Sequence, residues 1–239
     1  MHTQTIKGLL IATCFIMVFV SCSSPTGEEI VLNSLDFHGG LDRWEQMDRL
    51  TYTKHTILYN SDGTTEIDIT AQYEHLLLPS VSHTKIWTQA DSINSFTISG
   101  NQVKDRSNFK DLESYNKAKT DIDGAFYVIQ QPYKFLEDKD KLEYTGQDKL
   151  DDSTKVNIVK MQYYNEDGSK DNTWWLYFNN TTNRLEGYMV RHDSTYAYIR
   201  NHTYEDKTGL SLCETRTSYR VDSLRNIQYV RGRYRYDFK

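Results

Sequence analysis

The sequence predicts a mainly β fold, one large curled sheet or open barrel of about 11 or 12 antiparallel strands. Three observations carry that expectation. From about Leu50 short runs of alternating apolar and polar residues recur along the chain, turn-rich links separate them, and residues 111–136 interrupt the pattern with a helical period. The 18 tyrosines, together with many β-branched residues, suit pleated surfaces. With 3 prolines and no low-complexity linker past residue 27, residues 28–239 read as one domain.

Taken in order, "EEIVLNSLDFHGGLDRWEQM" predicts a short helix, a glycine break and a second helical turn. Glu28 and Glu29 sit where the helix dipole favours anions, Ile30, Leu32 and Leu35 are expected to share a face, and Gly39-Gly40 stops the helix. Several extended runs follow between Leu50 and Arg106. The clearest is "TEIDITAQYEH", where Ile67, Ile69, Ala71 and Tyr73 alternate with Asp68, Thr70, Gln72 and Glu74, the mark of a half-buried strand. "NSDGTT" and "SGNQ" are hairpin turns by composition. Leu112, Tyr115, Ala118, Ile122, Phe126, Ile129, Tyr133 and Leu136 then recur every three or four residues, one apolar face of a helix capped by Asp111 and ended by Pro132. Strands are expected again at 142–148, 154–164, 173–179, 184–192, 195–205, 210–221 and 227–238.

The start of the chain carries an address. After Lys7, the only charged residue in the first 27, an apolar run extends from Leu9 to Val20. As a helix its 12 residues reach roughly 18 Å, short of the ~30 Å of a hydrocarbon core. A basic start, a short apolar centre and small Ser21 before Cys22 form the anatomy of a secretory signal. "FVSC" resembles a bacterial lipobox, which implies that residues 1–21 are a lipoprotein signal peptide and that Cys22 is acylated. The alternative is an ordinary signal cut near Ser21. Residues 22–27 then read as a lipidated flexible tether. Each buried methylene adds about 0.8 kcal/mol, so two or more chains give a stable anchor.

Removing residues 1–21 takes away one lysine and leaves 27 basic against 33 acidic residues, a net charge of −6. Nucleic acid, which needs a cationic footprint, is excluded as a natural partner. Cys213 would be the one thiol left and reads as a small buried hydrophobe. No G-x-S-x-G elbow, H-E-x-x-H, paired-cysteine zinc site, Walker loop or glycine-rich dinucleotide turn is present. His192 and Asp193 are neighbours whose side chains point to opposite faces of a strand. The sequence therefore names no catalytic residue, metal ligand or cofactor. In "VRGRYRYDF", Arg231, Arg233 and Arg235 are expected on one face, with Val230, Tyr234, Tyr236 and Phe238 on the other.

"HGGLDRW" (38–44), "YVIQQPYKFLEDKDKLEYTG" (127–146) and "TWWLYFNNTTNRLEGYMV" (173–190), set between a lipobox and two runs of strands, resemble envelope lipoproteins of Bacteroidota type in the lipoprotein carrier and receptor superfamily, the LolA/LolB-like fold. The resemblance implies a single open, unclosed antiparallel barrel of about 11 strands, with an N-terminal helix and a central helical insert covering its concave face. It implies an apolar cavity, for which Trp87, Phe96, Phe126, Tyr133, Trp175 and Met189 are the candidate lining. The expected function is non-catalytic binding of an acyl chain or other lipophilic molecule by a protein lipid-anchored to the outer membrane and facing the periplasm. Ser23 after Cys22, where enteric bacteria place an acidic retention signal, supports that destination. Two other readings stand beside it: a lipoprotein with a packed interior serving a protein partner in an envelope assembly, and a hydrolase of envelope lipid or glycan.

Overall fold

The computed structural model describes residues 24–89, 91–99, 102–103, 112–165 and 167–239. Cys22, the signal segment, Asp111 and the centre of the "SGNQ" turn lie outside the described residues.

Helix α1 (Gly27–Phe37) starts at Thr26, which accepts from the Glu29 amide while the Glu29 carboxylate accepts from the Thr26 amide, a complete capping box. Its buried face is Ile30, Val31, Ser34 and Leu35, whereas Leu32 is 42% exposed. The expected grouping of Ile30, Leu32 and Leu35 is thus corrected: positions 31 and 35 are one turn apart, and 32 has rotated out to solvent. Gly39, at φ +98°, turns the chain into α2 (Leu41–Glu45). A Cβ there would lie 2.5 Å from the Gly209 carbonyl oxygen.

Five strands follow: β1 (Arg49–Tyr59), β2 (Thr65–Leu76), β3 (Ser82–Gln89), β4 (Ser92–Ser99) and the two-residue β5 (Gln102–Val103). Helix α3 (Leu112–Ile129) ends just before Pro132, as the sequence requires, and a 3-10 segment, Tyr133–Lys141, replaces its last predicted turn. Seven more strands complete the chain: β6 (Leu142–Lys149), β7 (Lys155–Tyr164), β8 (Lys170–Asn179), β9 (Leu185–His192), β10 (Thr195–Tyr204), β11 (Cys213–Val221) and β12 (Ile227–Phe238). They form one unclosed antiparallel sheet in the order β5-β4-β3-β2-β1-β12-β11-β10-β9-β8-β7-β6. Strands β1 and β12 therefore pair at its middle, from Tyr52 opposite Phe238 to Leu58 opposite Gly232.

That order explains the helical insert. Strands β5 and β6 are consecutive in sequence yet form the two opposite edges, so their connection must cross the sheet. It crosses the inner face, where Ile122, Ala125, Ile129 and Tyr133 join Tyr52, Tyr73, Phe96, Tyr236 and Phe238 in one core. Phe135 and the α1 residues Ile30 and Val31 join Val159, Met161, Leu176, Phe178 and Tyr188 in a second. Phe96 and Phe135 have no exposed surface, and burying such a ring contributes about 1.5–3 kcal/mol. A third, smaller cluster of Val156, Tyr177, Met189, Tyr198 and Val221 lies on the outer face.

Candidate functional site

Register places the inner face row by row. Tyr52 lies opposite Tyr73 and Phe238; Lys54 lies opposite Ala71 and Tyr236; Thr56 opposite Ile69 and Tyr234; Leu58 opposite Ile67 and Gly232. Ala71 and Tyr73 continue the rows to Trp87 and Lys85, and Lys85 faces Phe96. Exposure rises steeply from one row to the next. Leu50, Tyr52, His75, Phe96, Tyr236 and Phe238 are sealed beneath α3 and α2 or between strands, whereas Thr56, Leu58, Ile69, Trp87 and Tyr234 are half-buried and Ile67 is 40% exposed. The concave face is closed at one end and reached by solvent at the other, with Lys54 and Lys85 at the step.

Cations and aromatic rings meet at that step. The Lys54 ammonium lies 5.9, 5.4 and 5.8 Å from the ring centres of Tyr73, Tyr234 and Tyr236. The Arg216 guanidinium lies 5.0 and 5.3 Å from the same two rings of β12 and donates to the Tyr236 hydroxyl at 2.5 Å. Lys85 lies 5.2 Å from the Trp87 ring and 3.8 Å from the Asp121 carboxylate of α3. Burial, then the like charges of Arg216 and Lys85, lowers Lys54 to about 7, with Asp121 opposing. Lys85 is also lowered by burial and held up by Asp121. Cation–π contacts of this kind contribute about 0.5–2 kcal/mol each, less than the several kcal/mol that burying an unpaired ion costs.

Beneath the step is a second polar group. The Tyr52 hydroxyl meets His75 Nε2 at 3.0 Å, His75 Nδ1 meets His83 Nδ1 at 2.9 Å, and the Phe126 ring packs 4.5 and 4.3 Å from the two imidazoles. Burial, reinforced by His83, lowers His75 to about 3, so the pair is neutral and structural at neutral pH.

The fold that carries these residues has counterparts among solved structures. An outer membrane lipoprotein-sorting protein domain from Vibrio parahaemolyticus matches with a TM-score of 0.51 at 10% identity, over 90% of this chain and 91% of that one. A LolA superfamily protein from Nitrosomonas europaea matches with a TM-score of 0.52 at 10% identity, over 90% and 92%. The chain has a LolA-like fold. At that identity the likeness shows the architecture alone. No family model matches the sequence, and no curated protein is similar to it in sequence.

Within the LolA-like sheet, four of the six residues predicted to line a cavity share the inner face. Trp87 stands at the open end. Phe96, with no exposed surface, lies in the sealed part, half-buried Phe126 packs on His75 and His83, and Tyr133 stacks on Trp44 at 4.9 Å and donates to the His38 carbonyl. Trp175 and Met189, paired across β8 and β9, lie on the outer face with Tyr177 and Tyr198, away from the other four. Strand alternation sends their neighbours Trp174 and Tyr188 inward instead. Sequence reasoning missed Lys54, Lys85 and Arg216. The signal was present for two of them: Lys54 shares the parity of Tyr52 and Leu58, and Lys85 that of Trp87, so both lysines had to point inward.

The remaining features are simpler. Arg231 pairs with Glu66 and donates to the Tyr59 carbonyl at 2.8 Å, while Arg233 and Arg235 are exposed on the outer face. A bulge beyond Gly232 sets Val230 opposite Tyr219, off the parity expected for it. Burial pushes the Cys213 thiol up to about 12, which makes it inert. An outer-face groove of about 440 Å³ runs past Gln72, Ile86, Thr88 and Ile93. Among the described residues no cluster of three His, Cys, Asp or Glu side chains is placed to hold a metal, and no helix is long and apolar enough to cross a membrane.

Proposed function

We propose that this protein is an envelope lipoprotein, acylated at Cys22 and anchored to the outer membrane on its periplasmic side, that holds an acyl chain or other lipophilic molecule without chemistry. The observation that carries the reading is the split inner face. Helices seal one half completely, yet Leu58, Ile67, Ile69, Trp87 and Tyr234 leave a concave apolar surface open in the other half. An uncovered apolar surface at a step in burial is where a ligand gains most from leaving water. The fold supports the same reading, since one structure that shares it is described as a lipoprotein-sorting domain.

The test is extraction of the purified full chain, produced with its own signal in a Gram-negative host, followed by lipid mass spectrometry. Stoichiometric lipid beyond the chains attached at Cys22 is expected. A lipid-free protein that also fails to take up a fluorescent acyl probe would replace this reading with that of an interaction module.

A further inference from the structure

We propose that the open half of the concave face selects amphiphiles with an anionic head, and that Lys54 and Arg216 hold that head. This deepens the proposed function and rests on it. Among the described residues around the step, three basic side chains, Lys54, Lys85 and Arg216, face one carboxylate, Asp121, which is 51% exposed and spent on Lys85 at 3.8 Å. Lys117 of α3 adds a further positive charge beside Lys85. Among the described residues neither Lys54 nor Arg216 has a carboxylate at ion-pair distance. Arg216 is 6% exposed and its buried Nε has no partner.

Keeping both Lys54 and Arg216 charged over the rings of Tyr234 and Tyr236 is costly without an anion, and Lys54 is accordingly held close to losing its proton. An incoming anion would reverse that cost, since it meets donors already stripped of water. The geometry sets the pose. The head reaches Lys54 at the foot of the open half, and the chain lies outward along Ile69, Ile67 and Leu58 toward the mouth, flanked by Trp87 and Tyr234. A single-chain molecule fits this order, because a bulky polar head would have to pass the apolar mouth first. Both a carboxylate and a phosphate monoester supply the required anionic oxygens.

The experiment titrates oleate, oleyl phosphate and oleyl alcohol into the full chain carrying Cys22→Ser, which frees it of its own acyl chains. Oleate or oleyl phosphate is expected to bind at least about tenfold more tightly than the alcohol, the scale of one charge-assisted contact in a desolvated site. The tighter of the two identifies the head as carboxylate or phosphate. Lys54→Met, which keeps most of the unbranched side chain without its charge, should erase the preference while leaving alcohol binding within about twofold, and Lys54→Arg should keep it. A melting curve at or above that of the parent shows that Lys54→Met is folded. Equal binding of acid and alcohol, or a preference that survives both Lys54→Met and Arg216→Met, would overturn the assignment and leave lipophilic binding intact. Failure of all three probes would overturn both.

Discussion

Acid should unfold this protein well before its carboxylates titrate, because two buried imidazoles are locked in the neutral form. His38 closes helix α1 and is 1% exposed. The Leu185 amide donates to its Nε2 at 3.3 Å, so the proton sits on Nδ1, which donates to the Ser211 carbonyl at 2.5 Å. A second proton on Nε2 would point at the Leu185 N–H and break that bond. Burial, against the Ser211 bond and with Arg184 adding to it, lowers His38 to about 4. His75, with no exposed surface, is lowered by burial and by His83 to about 3. In the unfolded chain both titrate near the ordinary value of about 6.5. Between 6.5 and those lowered values the unfolded chain binds more protons, so stability is present above pH 6.5 and is lost as pH falls. At pH 5 each imidazole has withdrawn about 2 kcal/mol relative to pH 7, about 4 kcal/mol together, against a total of about 5–15 kcal/mol for a domain. His83 and His202, also lowered by burial, act in the same direction. Urea unfolding followed by tryptophan fluorescence at pH 7, 6 and 5 measures this directly. His38→Asn and His75→Phe should each flatten the stability curve by roughly 2 kcal/mol over that interval, whatever they cost at pH 7. A parent curve flat from pH 7 to 5, or slopes unchanged in both variants, would refute the locked-neutral account.

Other perturbations have sharper local origins. Glu186 is fully buried and accepts from Arg184 at 2.8 Å and Asn179 at 2.9 Å, with Arg200 at 3.5 Å; Glu186→Gln should cost roughly 2 kcal/mol of unfolding free energy, read as a lower urea midpoint, because Arg184 loses its carboxylate while Arg200 keeps Asp151 at 3.2 Å. Gly187 stands at φ +147° with the site of a Cβ 2.0 Å from the Ile199 carbonyl oxygen, so Gly187→Ala should lower stability by more than about 3 kcal/mol by parting β9 from β10, seen as a drop in melting temperature. Cys22→Ser should abolish incorporation of radiolabelled palmitate and release the protein from the membrane fraction, and unchanged labelling would remove the proposed anchor.

Local pattern wrote most of the elements and little of their arrangement. The alternation of "TEIDITAQYEH" placed Tyr73 inward and Glu74 outward, and "TWWLYF" divided Trp174, Leu176 and Phe178 from Trp175 and Tyr177 as the sheet does. Alternation does not say which of two apolar faces the helices cover, and so Trp175 and Met189 fell on the outer side. Nor does any local signal pair β1 with β12 across nearly the whole chain, from Tyr52 to Phe238, the contact that turns a run of hairpins into a sheet with a helical crossing. Lys54 and Arg216 show the same limit. Parity turns Lys54 inward, but only the pairing of β1 with β12, and of β12 with β11, sets its ammonium beside Arg216 and the same two tyrosine rings.

The central pairing of the first and last strands makes this a molecule that is divisible without coming apart. Cleavage within the crossing between β5 and β6 would yield two meanders, each continuous within itself, still zipped together from Tyr52 to Leu58 along β1 and β12. What cleavage would release is the brace between the two free margins, so the crossing sets how widely the trough can spread while the seam on its far side keeps the halves in register.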